Sequence, residues 1–317
     1  MKIKSKLIAL ATTAVLSAIA INVKIFKNAE KTLSPSKNED DITEHIYNWK
    51  FGKISYKTMG KGSPILLVHS LIPGTNEKEW QKNIFELAEN NKLYLINLLG
   101  YGDSERADIT YSSYLYVCLI NDFITDIIKE PAVVIASNTS ASISAMSYVF
   151  NPNNFKKICL VCPPISPKKT GLYNALKKLP LDLPILGDLF FNYFNSKKVL
   201  KSFLKENIYS DTAFITDEKI NNLYAYSHKG GGTNRYLFTS FITNSFEIGI
   251  ETSLPEIDIP VLIVYGDSLI DSYKNIETIK TLNPAVTVKL LKGKSLPNEE
   301  DFEEFNKLCL SFINYDK

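Results

Sequence analysis

Short and nearly uncharged runs of branched aliphatic residues recur along this chain from about residue 47, and segments with helical spacing separate them. Such runs are typical of strands that helices cover on both faces of a parallel sheet. The alternation therefore predicts an α/β domain over residues 47–317, with a mostly parallel central sheet and helices on both faces. We predict an opening strand at 49–56, buried or central strands at 65–68, 93–99, 132–136, 157–162 and 261–265, a late strand at 286–291, and helices at 79–88, 114–128, 140–150 and 302–313.

One long segment, at about residues 165–255, interrupts this alternation. Its pattern is mostly helical, so we predict a helical lid over the carboxyl ends of the strands. It is rich in aromatic residues, which either pack on one another or line an apolar cavity for a lipid-like or terpenoid-like ligand. These residues are Tyr173, Phe190, Phe191, Tyr193, Phe194, Tyr224, Tyr226, Tyr236, Phe238 and Phe241.

Charge and cysteine content exclude several classes of function. The 36 basic and 34 acidic residues leave a formal charge of +2, so no field of one sign exists to recruit nucleic acid. Four cysteines are too few for a disulfide scaffold of this length. Cys159 and Cys162 are three residues apart on a predicted strand and point to opposite faces, which favours core cysteines over a metal or redox centre. We predict no cofactor and no metal.

The amino terminus forms a separate unit over residues 1–27. Lysines flank an uncharged apolar run at 7–23. At helical rise this run spans roughly 25 Å, near the lower limit for crossing a bilayer. We predict an uncleaved membrane anchor of undefined orientation. A cleaved export signal that ends near Ala18-Ile19-Ala20 and a helix lying on the membrane surface are the alternatives. A polar tether is predicted at 28–46.

Four segments carry recognisable motifs. Residues 64–70 read Pro-Ile-Leu-Leu-Val-His-Ser, residues 96–104 read Ile-Asn-Leu-Leu-Gly-Tyr-Gly-Asp-Ser, and residues 260–266 read Pro-Val-Leu-Ile-Val-Tyr-Gly. A loop and helix follow the last strand at 293–305. In this order, over roughly residues 47–315, the motifs resemble the α/β-hydrolase family of the AB hydrolase-1 type with a helical lid. The resemblance implies that fold and a Ser, acid, His triad in that chain order.

The positions at which the family carries its triad hold other residues. The turn after the 132–136 strand places Asn138 where the nucleophilic serine is expected, and an amide is a very poor nucleophile. Leu269 stands at the acid position and Ser295 at the base position. A shift of register would make Ser137 or Ser140 the nucleophile, and a small insertion would bring Asp271 to the acid position.

The histidines give a test that needs no alignment. The chain contains only His45, His69 and His228, and none follows the acid loop. A triad in the family's order therefore has no base. We expect His69 to pack near the oxyanion loop, and the alternative base is His228, supplied by the lid. The resemblance also places oxyanion donors at the backbone N–H groups of Leu71 and Thr139.

Two functions follow from these positions. We expect a membrane-tethered α/β-hydrolase-like protein whose triad does not work and which binds a small apolar ligand or a protein partner. The alternative is an active hydrolase of small esters or lipids that uses an unconventional serine. A scaffold protein with a stable partner is a third class, and the sequence names no partner.

Overall fold

The computed structural model describes residues 2–32, 41–166, 181, 183, 185–246, 248–269 and 272–315. An eight-stranded sheet occupies the centre, in the order β1-β2-β4-β3-β5-β6-β7-β8. The β1–β2 and β2–β4 pairs are antiparallel, and every later pair is parallel. The strands are β1 (Thr43–Trp49), β2 (Gly52–Met59), β3 (Ser63–Val68), β4 (Asn91–Ile96), β5 (Ala132–Ser137), β6 (Phe155–Val161), β7 (Val261–Gly266) and β8 (Thr287–Leu291).

Helices pack against this sheet and fill the segment between β6 and β7. The buried central strands and the helices between them confirm the predicted α/β class. The helices are α1 (Lys2–Glu30), α2 (Ile84–Ala88), α3 (Ser113–Phe123), α4 (Thr139–Phe150), α5 (Leu186–Phe194), α6 (Lys197–Phe203), α7 (Asp217–His228), α8 (Asn234–Ile242), α9 (Ser272–Leu282), α10 (Pro297–Glu300) and α11 (Phe302–Asn314).

Two predicted elements differ from the structure. The strand expected at 49–56 is a hairpin, in which β1 ends at Trp49 and β2 begins at Gly52. Gly52 has a φ of 144°, and a Cβ there would lie 2.9 Å from Leu99 Cδ1, so the turn requires glycine. The helix expected at 79–88 is two short helices, a 3-10 turn at Glu77–Trp80 followed by α2.

The closing helix is fastened to the sheet by a buried lysine. Lys157 on β6 is 5 % exposed, and its Nζ donates to the carbonyl oxygens of Phe312, Ile313 and Tyr315 at distances of 3.1, 2.8 and 2.7 Å. These carbonyls lie at the carboxyl end of α11, where a positive charge is favoured by the helix dipole. The bond therefore fixes the last helix of the domain.

The amino-terminal helix packs against the lid. Asn192 of α5 donates to Asn22 of α1 at 2.7 Å, and the Phe26 ring stacks on Phe191 at 6.2 Å. Because α1 reaches Glu30 and β1 begins at Thr43, both ends of the predicted tether lie in regular structure, and residues 33–40 lie outside the described residues. Within the described part of the chain, no helix combines the length and apolarity needed to cross a membrane.

Candidate functional site

A sharp turn joins β5 to α4 at the carboxyl edge of the sheet. Its residue is Asn138, with φ 51° and ψ −128°, a backbone conformation that is rare for any residue with a side chain. Asparagine tolerates positive φ better than most such residues. The side-chain Nδ2 donates to the carbonyl oxygen of Ser295 at 3.2 Å, and the backbone N–H donates to Val161 O at 2.7 Å. Asn138 thus lies at the strand-to-helix turn for which the sequence predicts the nucleophile position, and we call this turn the elbow.

The other two triad positions lie on the loops that follow β7 and β8. Leu269 is partly buried and packs against the hydrophobic core. Ser295 is 6 % exposed, its hydroxyl donates to Asn207 O at 2.8 Å, and its N–H donates to Ile208 O at 2.9 Å. At these two positions stand a packed leucine and a serine bonded to the lid. The fallback acid Asp271 lies outside the described residues.

His69 is fully buried and bonded on both ring nitrogens. Its Nδ1 donates to Ser70 O at 2.7 Å, and its Nε2 accepts from the N–H of Leu98 at 3.1 Å. Burial lowers the pKa of His69 to about 4, so the ring is neutral at pH 7. The imidazole joins the end of β3 to the loop after β4, in keeping with the structural role expected for it.

The other two imidazoles are also engaged away from any serine. His45 Nε2 lies 3.0 Å from Thr58 Oγ1 on the outer hairpin. His228 Nδ1 donates to Tyr224 O at 2.7 Å, and burial lowers the pKa of His228 to about 4. The ring of His228 packs against Phe26. None of the three imidazoles, all within the described residues, hydrogen-bonds to a serine hydroxyl.

Both fallback serines are fully buried. Ser140 lies in the first turn of α4, and its hydroxyl has no hydrogen-bond partner among the described residues. Ser137 ends β5, and its hydroxyl donates to a carboxylate oxygen of Glu79. Ser70 donates to the same carboxylate, through its hydroxyl at 2.5 Å and its N–H at 3.2 Å. The three residues form a cluster beside the elbow, which we call the Glu79 cluster.

Glu79 is the functional candidate that sequence reasoning missed. It is 7 % exposed, and burial raises its pKa to about 7 despite the hydroxyl donors. The segment around it reads as an ordinary amphipathic helix, in which a glutamate belongs on the solvent side. Only the 3-10 turn at Glu77–Trp80, which aims Glu79 towards β5, brings it to Ser137.

A cavity of about 230 Å³ opens next to this cluster, between the loop after β3, the lid and the loop after β8. Glu79 forms part of its wall, together with a second polar group. In that group Tyr209 donates to Glu299 at 3.1 Å, and Lys219 donates to Tyr209 at 2.7 Å and pairs with Glu299. The apolar part of the wall consists of Ile72, Leu204, Ile208, Leu223 and Leu296. We call this space the Glu79 cavity.

The lid aromatics lie elsewhere. Phe191 and Phe238 form a small buried cluster with Leu181, and Phe190, Tyr193 and Phe194 are exposed. The depression that Phe191, Phe238, Phe241 and Tyr226 line holds about 10 Å³, too little for a ligand. Tyr224 packs on His228 and Tyr236 lies under Arg235. None of the described aromatics predicted to surround an apolar ligand lines the Glu79 cavity, and Tyr173 lies outside the described residues.

The two backbone positions expected to act as oxyanion donors follow the neighbouring strands β5 and β3. Thr139 is the first residue of α4, and Leu71 is buried on the loop after β3, where its carbonyl accepts from Tyr101 at 3.0 Å. Their role stays a prediction.

Cys159 and Cys162 are both buried, and neither forms a disulfide. Cys159 Sγ lies 3.6 Å from Cys309 Sγ, and Cys162 Sγ donates to Lys294 O at 3.4 Å. The described residues contain no group of His, Cys, Asp and Glu able to hold a metal ion.

Comparisons with known proteins agree with this architecture. No family model matches the chain. A 2-hydroxy-6-oxo-6-(2'-aminophenyl)hexa-2,4-dienoic acid hydrolase from Metapseudomonas resinovorans is 23 % identical over 238 residues, which cover 73 % of this chain and 76 % of that protein. The crystal structure of a membrane phospholipase A matches with a TM-score of 0.70 and 18 % identity, over 99 % of this chain and 98 % of the other. A meta-cleavage product hydrolase matches with a TM-score of 0.69 and 15 % identity, over 85 % and 97 %.

Proposed function

The chain has the α/β-hydrolase fold, and from that premise we propose that it binds a small molecule beneath its lid without hydrolysing it. We further propose that the amino-terminal helix α1 holds the protein at a membrane. The fold alone does not decide between ligand binding and hydrolysis, because one fold can carry unrelated functions. The decision comes from the chemistry at the elbow.

The observation that carries the proposal is the occupation of the elbow by Asn138 with every imidazole bonded elsewhere. Acyl transfer on this fold needs a hydroxyl that attacks and a base that accepts its proton. Asn138 supplies neither, and its amide is engaged by the carbonyl oxygen of Ser295. His69 follows β3, the strand beside β5, and it uses both ring nitrogens in the bonds that hold its own loop.

The Glu79 cavity supports the binding role. Next to the Glu79 cluster its wall carries the carboxyl groups of Glu79 and Glu299, and Lys219 already pairs with Glu299. The rest of the wall combines aliphatic side chains of the lid and loops with further polar residues, among them Glu218 and Lys78. The ligand that fits this wall is therefore a small amphipathic molecule whose polar end is an amine or a hydroxyl, with an apolar body, in place of the wholly apolar ligand expected from the lid aromatics.

The membrane role is supported by two independent observations. Residues 12–23 of α1 are uncharged, and many of them are exposed. One of the matched structures, which aligns over 99 % of this chain, is described as a membrane phospholipase A. An apolar helix flanked by lysines is suited to the surface of an anionic bilayer.

The experiment has two arms. The full chain is assayed on p-nitrophenyl acetate and p-nitrophenyl butyrate, and we expect no turnover above that of buffer. It is then heated with octanol, octylamine or octanoate, and we expect the alcohol and the amine to raise the melting temperature more than octanoate does. Ester turnover that Ser137→Ala abolishes would refute the binding role, and equal melting temperatures with all three probes would refute the assignment of the cavity.

A second candidate function, hydrolysis through Ser137, is favoured by one specific observation. The Ser137 hydroxyl donates to Glu79, whose pKa burial raises to about 7, where a carboxylate is a stronger base than usual. Ser137→Ala and Glu79→Gln should then each remove ester turnover, whereas Ser140→Ala should leave it unchanged. The full burial of the Ser137 side chain argues against this route, since a substrate carbonyl must reach the hydroxyl.

A further inference from the structure

Helix α1 leaves large aliphatic side chains uncovered beside its contact with the lid. Within that contact Asn22 is 4 % exposed, accepts from Asn192 and donates to Ile185 O at 3.4 Å, and Ala29 is fully buried. At helical spacing Leu16 and Val23 lie on one flank of this contact, and they are 60 and 47 % exposed. The exposed positions of a helix that faces water are normally polar. This flank of α1 is therefore suited to an apolar surrounding.

The lid helix α5 also leaves large apolar side chains uncovered. It carries one charged residue, Asp188, which pairs with Arg235 of α8 at 3.4 Å. Its inner side buries Phe191, and its outer side exposes a helical stripe of four large apolar residues. A helix that is apolar all round is normally buried. The outer stripe consists of Leu186, Phe190, Tyr193 and Phe194, which are 50, 43, 65 and 45 % exposed.

The two helices are neighbours. Asn192 of α5 donates to Asn22 of α1, and the rings of Phe26 and Phe191 stack at 6.2 Å. The two adjacent helices thus expose apolar side chains next to each other, and contiguous exposed apolar patches mark interaction sites. We call this surface the α1–α5 face; its outer residues are Val15, Leu16, Ile19 and Val23 of α1 and Leu186, Phe190, Tyr193 and Phe194 of α5.

Charge around the α1–α5 face indicates the chemistry of what covers it. Exposed lysines follow the apolar part of α1, and exposed lysines open α6, the helix next to α5. Helix α6 contains no acidic residue, and α1 has none before Glu30. Apolar side chains bordered by lysines complement an anionic bilayer, whose acyl layer lies under phosphate head groups. These lysines are Lys24, Lys27, Lys31, Lys197, Lys198 and Lys201.

We propose that the α1–α5 face rests on an anionic lipid bilayer, so that the lid itself, and not α1 alone, contacts the membrane. This inference rests on the proposed membrane attachment and adds the lid to it. Its consequence is that the lid, which forms part of the wall of the Glu79 cavity, is placed against the lipid phase.

Vesicle co-sedimentation of the full chain tests the proposal, with phosphatidylcholine vesicles that contain or lack phosphatidylserine. The test variant is Phe190→Ser/Phe194→Ser on α5. The matched control is Tyr114→Ser/Phe150→Ser, which removes two exposed aromatic side chains of α3 and α4 that are 60 and 58 % exposed. Leu16→Ser/Ile19→Ser on α1 tests the attachment itself. Circular dichroism and melting temperature establish that each variant is folded.

We expect the α5 variant to lower the partition coefficient on phosphatidylserine vesicles about tenfold, because two aromatic side chains leave the interface. The control should bind like the parent protein. Binding of the α5 variant equal to the control, with release of the α1 variant, would overturn the role of the lid and leave the attachment standing. If the α1 variant and the α5 variant both bind vesicles like the parent protein, the attachment through α1 and the role of the lid are both overturned. The parent protein could also be a dimer in the absence of vesicles. If the α5 variant is then a monomer and binds vesicles as the parent does, the α1–α5 face is an interface with a second copy of the chain, and the proposal is refuted.

Discussion

Replacing Glu79 by glutamine should change how the stability of this protein depends on pH. Glu79 has an ordinary pKa of 4.5, and burial raises it to about 7 in the folded state. Between these two values the folded state keeps the proton that the unfolded chain has released. The folded protein therefore binds more protons in this window, and its free energy of unfolding falls as the pH rises from 4.5 to 7. Glutamine has no proton to lose.

The magnitude follows from the size of the shift. Each unit of pKa difference corresponds to about 1.4 kcal/mol. The wild-type protein should therefore lose roughly 3 kcal/mol relative to Glu79→Gln across this window. The side chain is 7 % exposed, so solvent screening reduces this figure little. His69 and His228 titrate in both proteins and cancel in the difference.

The assay is urea unfolding of both proteins at intervals from pH 4.5 to pH 8, followed by tryptophan fluorescence and circular dichroism. Glu89→Gln, which changes an exposed carboxyl of the same segment, provides the reference curve. The difference between wild type and Glu79→Gln should grow with pH and level off above pH 7. If the free energies of unfolding of the two proteins depend on pH in the same way, the pKa of Glu79 is not raised by burial. If their difference shrinks as the pH rises, the pKa of Glu79 is lowered and not raised.

Three further outcomes are expected. Lys157→Ala should lower the free energy of unfolding by roughly 3 kcal/mol, because it leaves three carbonyls at the end of α11 without their charged donor. Urea unfolding measures this loss, and the control Lys156→Ala, at the exposed neighbouring position, should change the free energy by less than about 0.5 kcal/mol. Because φ is 51° at residue 138, Asn138→Gly should change the free energy of unfolding by less than about 1 kcal/mol, and Asn138→Val should lower it by more than about 2 kcal/mol. A smaller loss for Asn138→Val, measured by calorimetry, would contradict the backbone geometry. The wild-type protein should lose stability between pH 6.5 and pH 4, because His69 gains a proton in this range in the unfolded chain and not in the folded protein, where its pKa is about 4. His69→Gln should reduce this loss. An unchanged decrease of the free energy of unfolding between pH 6.5 and pH 4, measured by urea unfolding, would count against it.

Sequence patterns predicted the central sheet well because its strands are buried on both faces. The run at 132–136 is β5 within one residue, and the run at 261–265 is β7 within one residue. A strand covered on both sides must be apolar at every position, and a short apolar run between turn residues is typical of such a strand. The elbow residue was found for the same reason, since it follows such a run directly.

The parts that sequence patterns missed depend on tertiary contacts between polar groups. Glu79 and Ser137 are 58 positions apart and meet only because a 3-10 turn interrupts the expected helix. Asn22 lies within an apolar run that reads as an anchor, and its bond to Asn192 joins residues 170 positions apart. Neither pairing leaves a periodic trace in the sequence, because one hydrogen bond constrains one residue and not a face.

The bond between Asn138 and Ser295 explains how the elbow tolerates its substitution. In a working triad of this fold, the side chain at the nucleophile position bonds to the base across the space between the strand edge and the loop after the last strand. Here the amide of Asn138 reaches the same loop and donates to the carbonyl oxygen of Ser295, at 3.2 Å. The hydroxyl of Ser295 in turn donates to Asn207 of the lid segment. The two positions are thus joined by a neutral amide–carbonyl bond that fastens the elbow to the loop after β8. Because this bond bridges the elbow and that loop, we propose the Glu79 cavity beside the elbow as the binding site.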